Sequence, residues 1–252
     1  MSSQLVVRKS EDRGYANHGW LDTHHTFSFA SYYDYNFQGF GSLKVINEDI
    51  VQPTTGFGAH PHREFEIFSY IISGELQHKD SMGNIEILKA GDVQFTSAGT
   101  GITHSEYNIH PTLPVHFLQI WVKPDNPKLK PRYQTMTFSE SSKTNNLIHI
   151  ISPVEDHDNS TIGINTDFHM YASLLEPGHK VIHTVQGTKK PRKVYIHLAS
   201  TGGKLSVNEK NTILQQGDGV FVTEVKQGDE IVFESIELRF AKHKGYKIWI
   251  TF

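Results

Sequence analysis

The sequence predicts an all-β fold of two antiparallel barrels in tandem, and three observations lead to this prediction. Short apolar runs, such as residues 65–72 and 115–122, have the length of strands. Glycine-containing turns, such as Ser73-Gly74 and Gly91-Asp92, separate these runs at short intervals. The chain has 252 residues, which is enough for two compact cores. Short strands without helical periodicity are typical of sandwiches and barrels.

The first half contains four clear strand candidates. They cover residues 5–8, 43–47, 65–72 and 115–122. The aromatic segment 27–35 is expected to pack over the barrel. Pro61 has no backbone N–H, so its strand is expected at an edge or rim of the sheet. A site on that strand would be open to ligands.

A change of composition divides the chain. Residues 123–146 contain three prolines and a polar run, with one short strand candidate at 133–138. We therefore predict an N-terminal barrel over residues 1–124, a linker region over 125–146 and a C-terminal barrel over 147–252. The strand candidates of the second half are residues 147–151, 168–176, 193–199, 205–207, 219–224, 230–234 and 246–252.

Two short clusters at the ends of residues 56–108 carry the chemistry. His60 and His62 are two residues apart, and so are His104 and Glu106. Side chains at i and i+2 of a strand point to the same face, so each pair can aim into the barrel together. Three imidazoles and one carboxylate suit a first-row divalent metal. The sequence therefore predicts a mononuclear metal site.

The alternative for each histidine alone is an ordinary surface or core residue, since the chain has 16 histidines. The second cluster with the same spacing favours the metal site. His24 and His25 are adjacent, so a strand would send them to opposite faces, and we expect a positioning or surface role for them.

A faint internal repeat suggests that the second barrel binds no metal. Aligning Gly91-Asp92-Val93 with Gly217-Asp218-Gly219 superposes the two halves. The four candidate ligands then fall opposite Lys189, Pro191, Glu230 and Val232. His179 and His183 are four residues apart, which is a helix spacing.

Charge and composition exclude several classes of function. The net charge is −3, which argues against general binding to nucleic acid or to anionic membranes. No apolar run is long enough for a membrane span, and no signal peptide is visible. The chain has no cysteine, which excludes disulfides, thiolate ligands and thiol catalysis. We expect a soluble cytoplasmic monomer.

The two clusters and their surroundings resemble the two cupin motifs. The chain carries them as His60-x-His62-x3-Glu66 and as Gly91-x5-Ser97-x-Gly99 followed by His104-x3-Asn108. Ser97 in place of proline, two additional residues before His104 and the glutamate at 106 are typical of the pirin branch of cupins. Residues 20–30, 58–62, 78–84 and 97–108 are similar to bacterial pirin-like quercetin 2,3-dioxygenases. The resemblance is strong over residues 8–124 and weaker beyond.

The resemblance implies a bicupin with two jelly-roll barrels and one divalent metal, iron in the first place, with copper, nickel, cobalt, manganese or zinc as alternatives. The implied ligands are His60, His62, His104 and Glu106, with Glu66 structural. The implied reaction cleaves a flavonol such as quercetin with O2, inserts both oxygen atoms and releases CO. Glu106 would accept the proton of the 3-hydroxyl group. The expected aromatic lining of the pocket comes from Trp20, Phe27, Phe29, Phe57 and Phe65.

Two other functions stay open for the same four ligands. One is a non-enzymatic, metal-binding protein that senses redox state or regulates a partner. The other is a cupin isomerase without oxygen chemistry. The sequence favours the enzyme because its motifs are of the bacterial type and its charge is near neutral.

Overall fold

The computed structural model describes residues 4–186, 191–208, 212–236 and 246–251, and strands account for most of its regular structure. The strands are, in chain order, β1 (Gln4–Arg8), β2 (Gly14–Asn17), β3 (Leu21–His25), β4 (Leu43–Val51), β5 (Gly56–His62), β6 (Glu66–Ser73), β7 (Glu75–Asp80), β8 (Ile85–Lys89), β9 (Asp92–Ser97), β10 (Ile102–Tyr107), β11 (Val115–Val122), β12 (Arg132–Thr137), β13 (Ile148–Pro153), β14 (Ile162–Ile164), β15 (Met170–Leu175), β16 (Lys180–Thr184), β17 (Arg192–Leu198), β18 (Lys204–Val207), β19 (Thr212–Gln215), β20 (Gly219–Val225), β21 (Glu230–Ile236) and β22 (Tyr246–Thr251). The helical elements among the described residues are α1 (Glu140–Lys143) and two 3-10 turns at Ser10–Asp12 and Val154–Asp156. The all-β prediction is confirmed.

The chain divides into two compact units. The N-terminal unit consists of Arg13–Phe138 and Pro153–Asp167. The C-terminal unit consists of Met1–Asp12, Ser139–Ser152 and Phe168–Phe252.

The N-terminal unit is built from a large and a small antiparallel sheet. The large sheet has the strand order β12-β9-β6-β11-β4-β3-β2, and the small sheet has the order β5-β10-β7-β8. Strand β5 pairs with β10 and forms an edge of the small sheet, as Pro61 predicts. An apolar cluster fills one part of the interior; its buried members are Leu21, Val51, Ile71, Leu76, Leu88, Val115 and Phe117.

The alternation along β10 aims the second cluster inward. Ile102, His104 and Glu106 are buried, while the residues between them are more exposed. Successive side chains of a strand point to opposite faces, which gives this period of two residues. Strand β10 therefore directs one apolar side chain, Ile102, and two possible metal ligands, His104 and Glu106, into the interior of the unit.

The C-terminal unit repeats the pattern. Its large sheet includes the order β1-β20-β17-β22-β15-β13, and its small sheet has the order β16-β21-β18-β19. Among the described residues, fourteen buried apolar side chains, from Leu175 to Phe233 in the sequence, form a core cluster of this unit. The strand candidates of the second half correspond to β13, β15, β17, β18, β20, β21 and β22, except that Phe252 lies outside the described residues.

The contact-based units differ from the predicted domain bounds at two places. Strand β1 belongs to the C-terminal unit because it pairs with β20, from Gln4 opposite Thr223 to Arg8 opposite Gly219. The predicted linker contains β12, which pairs with β9 and so belongs to the N-terminal unit. Pairing between residues distant in sequence causes both differences. That residues 1–124 and 147–252 fold as two domains, with a linker region over 125–146, stays a prediction.

No helix among the described residues has the length and apolar character that crossing a membrane requires.

Candidate metal centre

Strands β5 and β10 bring the two clusters together. His104 lies directly opposite His60, and Ile102 lies opposite His62. The pairing register shifts between His104 and Glu106, because Glu106 lies opposite Phe57. Strand β5 therefore has one additional residue, a β-bulge, between Phe57 and His60. Such bulges often re-aim side chains next to active sites.

The three histidines converge in one volume. The ring centroids of His60 and His62 are 4.7 Å apart, those of His60 and His104 are 4.6 Å apart, and those of His62 and His104 are 4.7 Å apart. One ring nitrogen from each lies within 4.8 Å of the others. The strand pairing thus places three metal-ligating groups in the geometry that the spacing predicts.

The hydrogen bond of His60 fixes its tautomer. Its Nδ1 atom donates to the carbonyl oxygen of Gly58 at 2.7 Å, since a carbonyl oxygen can only accept. Nε2 of the neutral ring therefore presents a lone pair, in the way that a backbone carbonyl commonly orients a metal-binding histidine.

The distance between His60 and His104 fits a shared ion. Their Nε2 atoms are 3.1 Å apart. Two nitrogens bonded to one ion at about 2.1 Å and at right angles to each other would lie about 3.0 Å apart. Nδ1 of His104 is buried and has no hydrogen-bond partner among the described residues. The ring is thus not held by a competing bond at that atom.

Burial favours the neutral form of His62 and His104, which is the form that binds metal. The pKa of His62 is lowered to about 4, mainly by burial and also by the neighbouring His104 and His60, against the opposing effect of Glu106. Burial also lowers the pKa of His104, against the opposing charge of Glu106. Both shifts favour the neutral ring, in which one nitrogen keeps a lone pair.

Glu106 lies beside the histidines with both carboxylate oxygens hydrogen-bonded. The residue is 1% exposed. Ser69 Oγ donates to Oε1 at 2.9 Å, and Gln119 Nε2 donates to Oε2 at 3.0 Å. The carboxylate forms a second metal-capable group with His104 and His78. His104 thus belongs to both groups, and Glu106 is the one carboxylate in these two groups of described residues.

His78 is a buried neighbour of the site that the sequence analysis missed. It is 0% exposed, and its Nε2 atom lies 3.2 Å from Oδ2 of Asp80. Its ring stacks on Tyr133 and contacts His104 edge-on at 5.2 Å between centroids. The signal was present in the sequence, because His78 and Asp80 repeat the spacing of two residues.

Three polar residues that lie near the ligands in the sequence, Glu66, Gln94 and Asn108, form hydrogen bonds elsewhere. Glu66 accepts from the backbone and side chain of Asn165, at 2.9 and 2.6 Å, so its role is structural as expected. Gln94 donates to Thr96, and Asn108 donates to backbone oxygens of Val51 and Leu113. Ser69 and Gln119 come from β6 and β11 of the large sheet, which sequence proximity could not reveal.

A cavity of about 240 Å³ is lined by His60, His62 and Glu106 of the predicted ligands. Phe29 and Phe57 line it, as predicted, together with Trp121, which was missed. Trp121 contacts His62 edge-on at 4.9 Å between ring centroids. Trp20 and Phe65 pack behind the lining, against Phe57 and Trp121 respectively. Phe27 is fully buried.

His24 and His25 lie on opposite faces of β3, as their adjacency predicts. His25 is buried and lines the cavity, where its Nδ1 atom is 2.9 Å from Oδ1 of Asn47. His24 is half-buried next to Asp22 on the other face. His24 and His25 are in neither metal-capable group of the described residues.

The C-terminal unit has a corresponding strand pair. Strand β16 pairs with β21 as β5 pairs with β10, and His183 lies opposite Ile231 as His62 lies opposite Ile102. Matching these two pairs, which have buried side chains in both β16 and β21, puts Val181, His183, Phe233 and Ser235 at the positions of His60, His62, His104 and Glu106.

This pairing corrects the sequence alignment of the two halves, which put Lys189 and Pro191 opposite His60 and His62. Three residues separate β5 from β6, whereas seven separate β16 from β17, and the longer connection displaces the alignment. Lys189 itself lies outside the described residues. That the C-terminal unit binds no metal stays a prediction, and His183 is the one transition-metal ligand type among the four corresponding positions.

Comparison with known proteins agrees with this architecture. The family model described as Pirin matches residues 6–122, and the model described as Quercetinase C-terminal cupin domain matches residues 149–237. Quercetin 2,3-dioxygenase of Escherichia coli (strain K12) is 41% identical over 204 residues, which are 81% of this chain and 84% of that protein. Quercetin 2,3-dioxygenase of Escherichia coli O157:H7 is 39% identical over 213 residues, 84% of this chain and 88% of that protein.

A solved structure shows the same similarity across nearly the whole chain. The crystal structure of the bacterial pirin YhhW from Escherichia coli in complex with nickel(II) is 33% identical, with a TM-score of 0.84 and 98% of each chain covered. The tandem arrangement of two cupin units and the identity to these relatives show that the chain belongs to the pirin family of the cupin superfamily.

Proposed function

We propose that this protein is a metal-dependent dioxygenase that cleaves the ring of a flavonol such as quercetin with O2 and releases CO. The observations that carry the proposal are the convergence of His60, His62 and His104, and the position of Glu106 close to His104. His60, His62 and Glu106 also line a cavity that has aromatic side chains. The relatives named quercetin 2,3-dioxygenase support the choice of substrate class.

The four predicted ligands suit a divalent transition metal. Three neutral imidazoles and one carboxylate are donors that such ions accept, and they leave room for further ligands. A bound metal would supply Lewis acidity towards a substrate oxygen, which is worth several kcal/mol in stabilising negative charge on it. The nickel complex of YhhW supports a transition metal as the bound ion.

Glu106 has the role of proton acceptor in this proposal. Its carboxylate lines the cavity, so a hydroxyl group of a bound substrate can reach it. Ser69 and Gln119 donate hydrogen bonds to its two oxygens and fix their orientation. Glu106 takes the proton of the 3-hydroxyl group at a carboxylate oxygen, and the substrate is then an oxyanion that is more readily oxidised.

The aromatic lining binds and shields the substrate. Phe29, Phe57 and Trp121 offer flat apolar surfaces to a flat aromatic ring system. Their packing against further aromatic side chains, such as Phe65 against Trp121, limits their movement. Excluding water from the cavity protects a reactive substrate anion during ring cleavage.

The test is the decay of quercetin under O2 with metal-reconstituted protein, coupled to detection of CO. Iron is loaded first, and copper, nickel, cobalt, manganese and zinc follow in separate preparations. We expect decay with one CO per quercetin for at least one metal, and none with Glu106→Gln. Decay without CO would indicate simple oxidation, and no decay with any metal would favour a non-enzymatic metal-binding protein.

A further inference from the structure

One wall of the cavity lining is polar and comes from strands other than those of the predicted metal ligands. Strands β3 and β4 contribute its four side chains, Thr23, His25, Asn47 and Asp49. All four are buried, with exposed fractions between 2% and 5%. The rest of this side of the cavity is apolar, with Leu21, Phe29 and Phe57. Buried polar groups normally have partners, so this wall requires an explanation.

Asp49 is the acidic member of the wall. Thr23 Oγ1 donates to its Oδ1 atom at 2.5 Å, while Oδ2 accepts no hydrogen bond from a described residue. The described residues that line the cavity include no lysine or arginine to balance the charge. Burial raises the pKa of Asp49 to about 7, an effect that the Thr23 hydrogen bond reduces and the charge of Glu106 increases. A carboxyl oxygen in such a cavity is a ready acceptor for a ligand O–H.

The strand register separates Asp49 from the metal-binding side. Asn47 lies opposite Gln119, which holds Glu106, whereas Asp49 lies opposite Phe117. Asp49 is therefore one inward position further along β4, which is about 7 Å of strand. A group that contacts Asp49 is thus a different part of the ligand from the group near Glu106.

We propose that Asp49, held in place by Thr23, determines specificity by accepting a hydrogen bond from a second hydroxyl group of a polyhydroxylated aromatic substrate. The inference rests on the proposed function and narrows its substrate class. A flavonol with hydroxyl groups on several rings can place one oxygen at the metal-binding side and another at Asp49. The volume of about 240 Å³ is below the usual 300–1,000 Å³ of ligand pockets, so the cavity selects a compact, flat molecule.

The test compares two flavonols that differ in their hydroxyl groups. Quercetin carries five hydroxyl groups, whereas 3-hydroxyflavone keeps the 3-hydroxyl and 4-keto groups and lacks the others. Their Kd values are measured without O2 on nickel-reconstituted protein by quenching of tryptophan fluorescence. We expect quercetin to bind about 10- to 100-fold more tightly at about pH 8, above the pKa of Asp49, since a hydrogen bond to a charged group gives a free-energy difference of that size.

Variants at Asp49 assign the preference. Asp49→Leu should abolish this preference, because it should raise the Kd of quercetin and leave the Kd of 3-hydroxyflavone unchanged. If Asp49→Leu does not fold, Asp49→Asn takes its place, because it conserves the shape of the side chain. It should reduce the preference for quercetin in part. Thr23→Val should also reduce it, because it removes the donor that orients Asp49. Asp22→Asn, on the opposite face of β3 with Tyr15 as its partner, is the matched control and should leave both Kd values unchanged.

The outcomes separate this inference from the proposed function. Equal Kd values in the wild type, or an equal loss for both flavonols in the Asp49 variants, would overturn the inference. A preference that depends on Asp49 in a protein that never degrades quercetin under O2 would support the inference and overturn the dioxygenase. If neither flavonol binds, both proposals are wrong.

Discussion

His60 and His104 face each other across β5 and β10 with their Nε2 atoms 3.1 Å apart. The antiparallel register sets this distance, and the bond from His60 Nδ1 to the carbonyl oxygen of Gly58 sets the orientation of one ring. The positions of the two nitrogens therefore depend on backbone pairing more than on the packing of flexible side chains. Such a pair is ready to receive a cation without rearrangement of the fold, which limits the cost of binding.

The first prediction concerns retention of the metal. His62→Ala should reduce the bound metal of the purified protein from about one ion per chain to below about one tenth, because loss of a ligand weakens a site of four protein donors. Metal analysis of the variant gives the content, and circular dichroism shows whether the strands persist. His24→Ala is the matched control, since His24 points to the opposite face of β3. Unchanged metal content in His62→Ala would contradict the predicted ligand set.

The second prediction concerns the two residues that hold Glu106. Gln119→Leu removes the donor to Oε2, and Ser69→Ala removes the donor to Oε1. Each loss should weaken metal binding by about 10-fold or more, because a hydrogen bond to a buried carboxylate is worth about 1.5–3 kcal/mol. Competition with a coloured chelator measures the change. Ser73→Ala at the exposed end of β6 is the control. Equal affinities in all three variants would show that Glu106 needs neither partner.

The sequence predicted the class of fold and the proximity of His104 to His60 and His62, because strand periodicity and the spacing of two residues are local features. That these residues and Glu106 bind a metal stays a prediction. The sequence could not predict Ser69, Gln119 or Trp121, which reach the site through pairing between strands distant in sequence. The same reason explains why β1 belongs to the C-terminal unit, since its partner β20 is more than two hundred residues away in the sequence. The alignment of the two halves failed at a connection whose length differs between them. Long-range register and loop length are thus what the pattern alone does not contain.

The third prediction tests the close approach of β5 to β10. A Cβ atom on Gly56 would lie 2.3 Å from the carbonyl oxygen of Glu106 and 2.5 Å from Cα of Tyr107. Both contacts are with backbone, so the strands would have to separate. Gly56→Ala should lower the free energy of unfolding by about 1–3 kcal/mol, as overpacking does. It should also weaken metal binding, because Glu106 moves with its strand.

The matched control for this prediction is Gly58→Ala. A Cβ at Gly58 would meet no atom closer than 3.9 Å, which is ordinary van der Waals contact. Urea unfolding of the two metal-free variants gives the comparison. If both variants lose the same stability, the close approach at Gly56 is not the cause.

The fourth prediction follows from the buried carboxyl group of Asp49. Its pKa is about 7 in the folded protein, against 3.8 for the ordinary group, because burial disfavours the charged form. The folded protein therefore holds a proton that the unfolded chain has lost, and stability falls as the pH rises from about 4 through about 7. Asp49→Asn does not titrate and can still accept the bond from Thr23. Metal-free Asp49→Asn should therefore be more stable than the wild type at about pH 8, by up to about 4 kcal/mol, with a much smaller gain at about pH 5.

Urea unfolding of both metal-free proteins at the two pH values measures this difference. Burial lowers the pKa of His62 to about 4, so His62 reduces stability as the pH falls from about 6.5 towards 4. This contribution is common to both proteins and cancels in their difference. Asp22→Asn, on the opposite face of the neighbouring strand, controls for the loss of a carboxylate as such. An equal gain at both pH values would show that Asp49 is charged throughout, and a loss at pH 8 would show that its charge is stabilised by a partner in the fold.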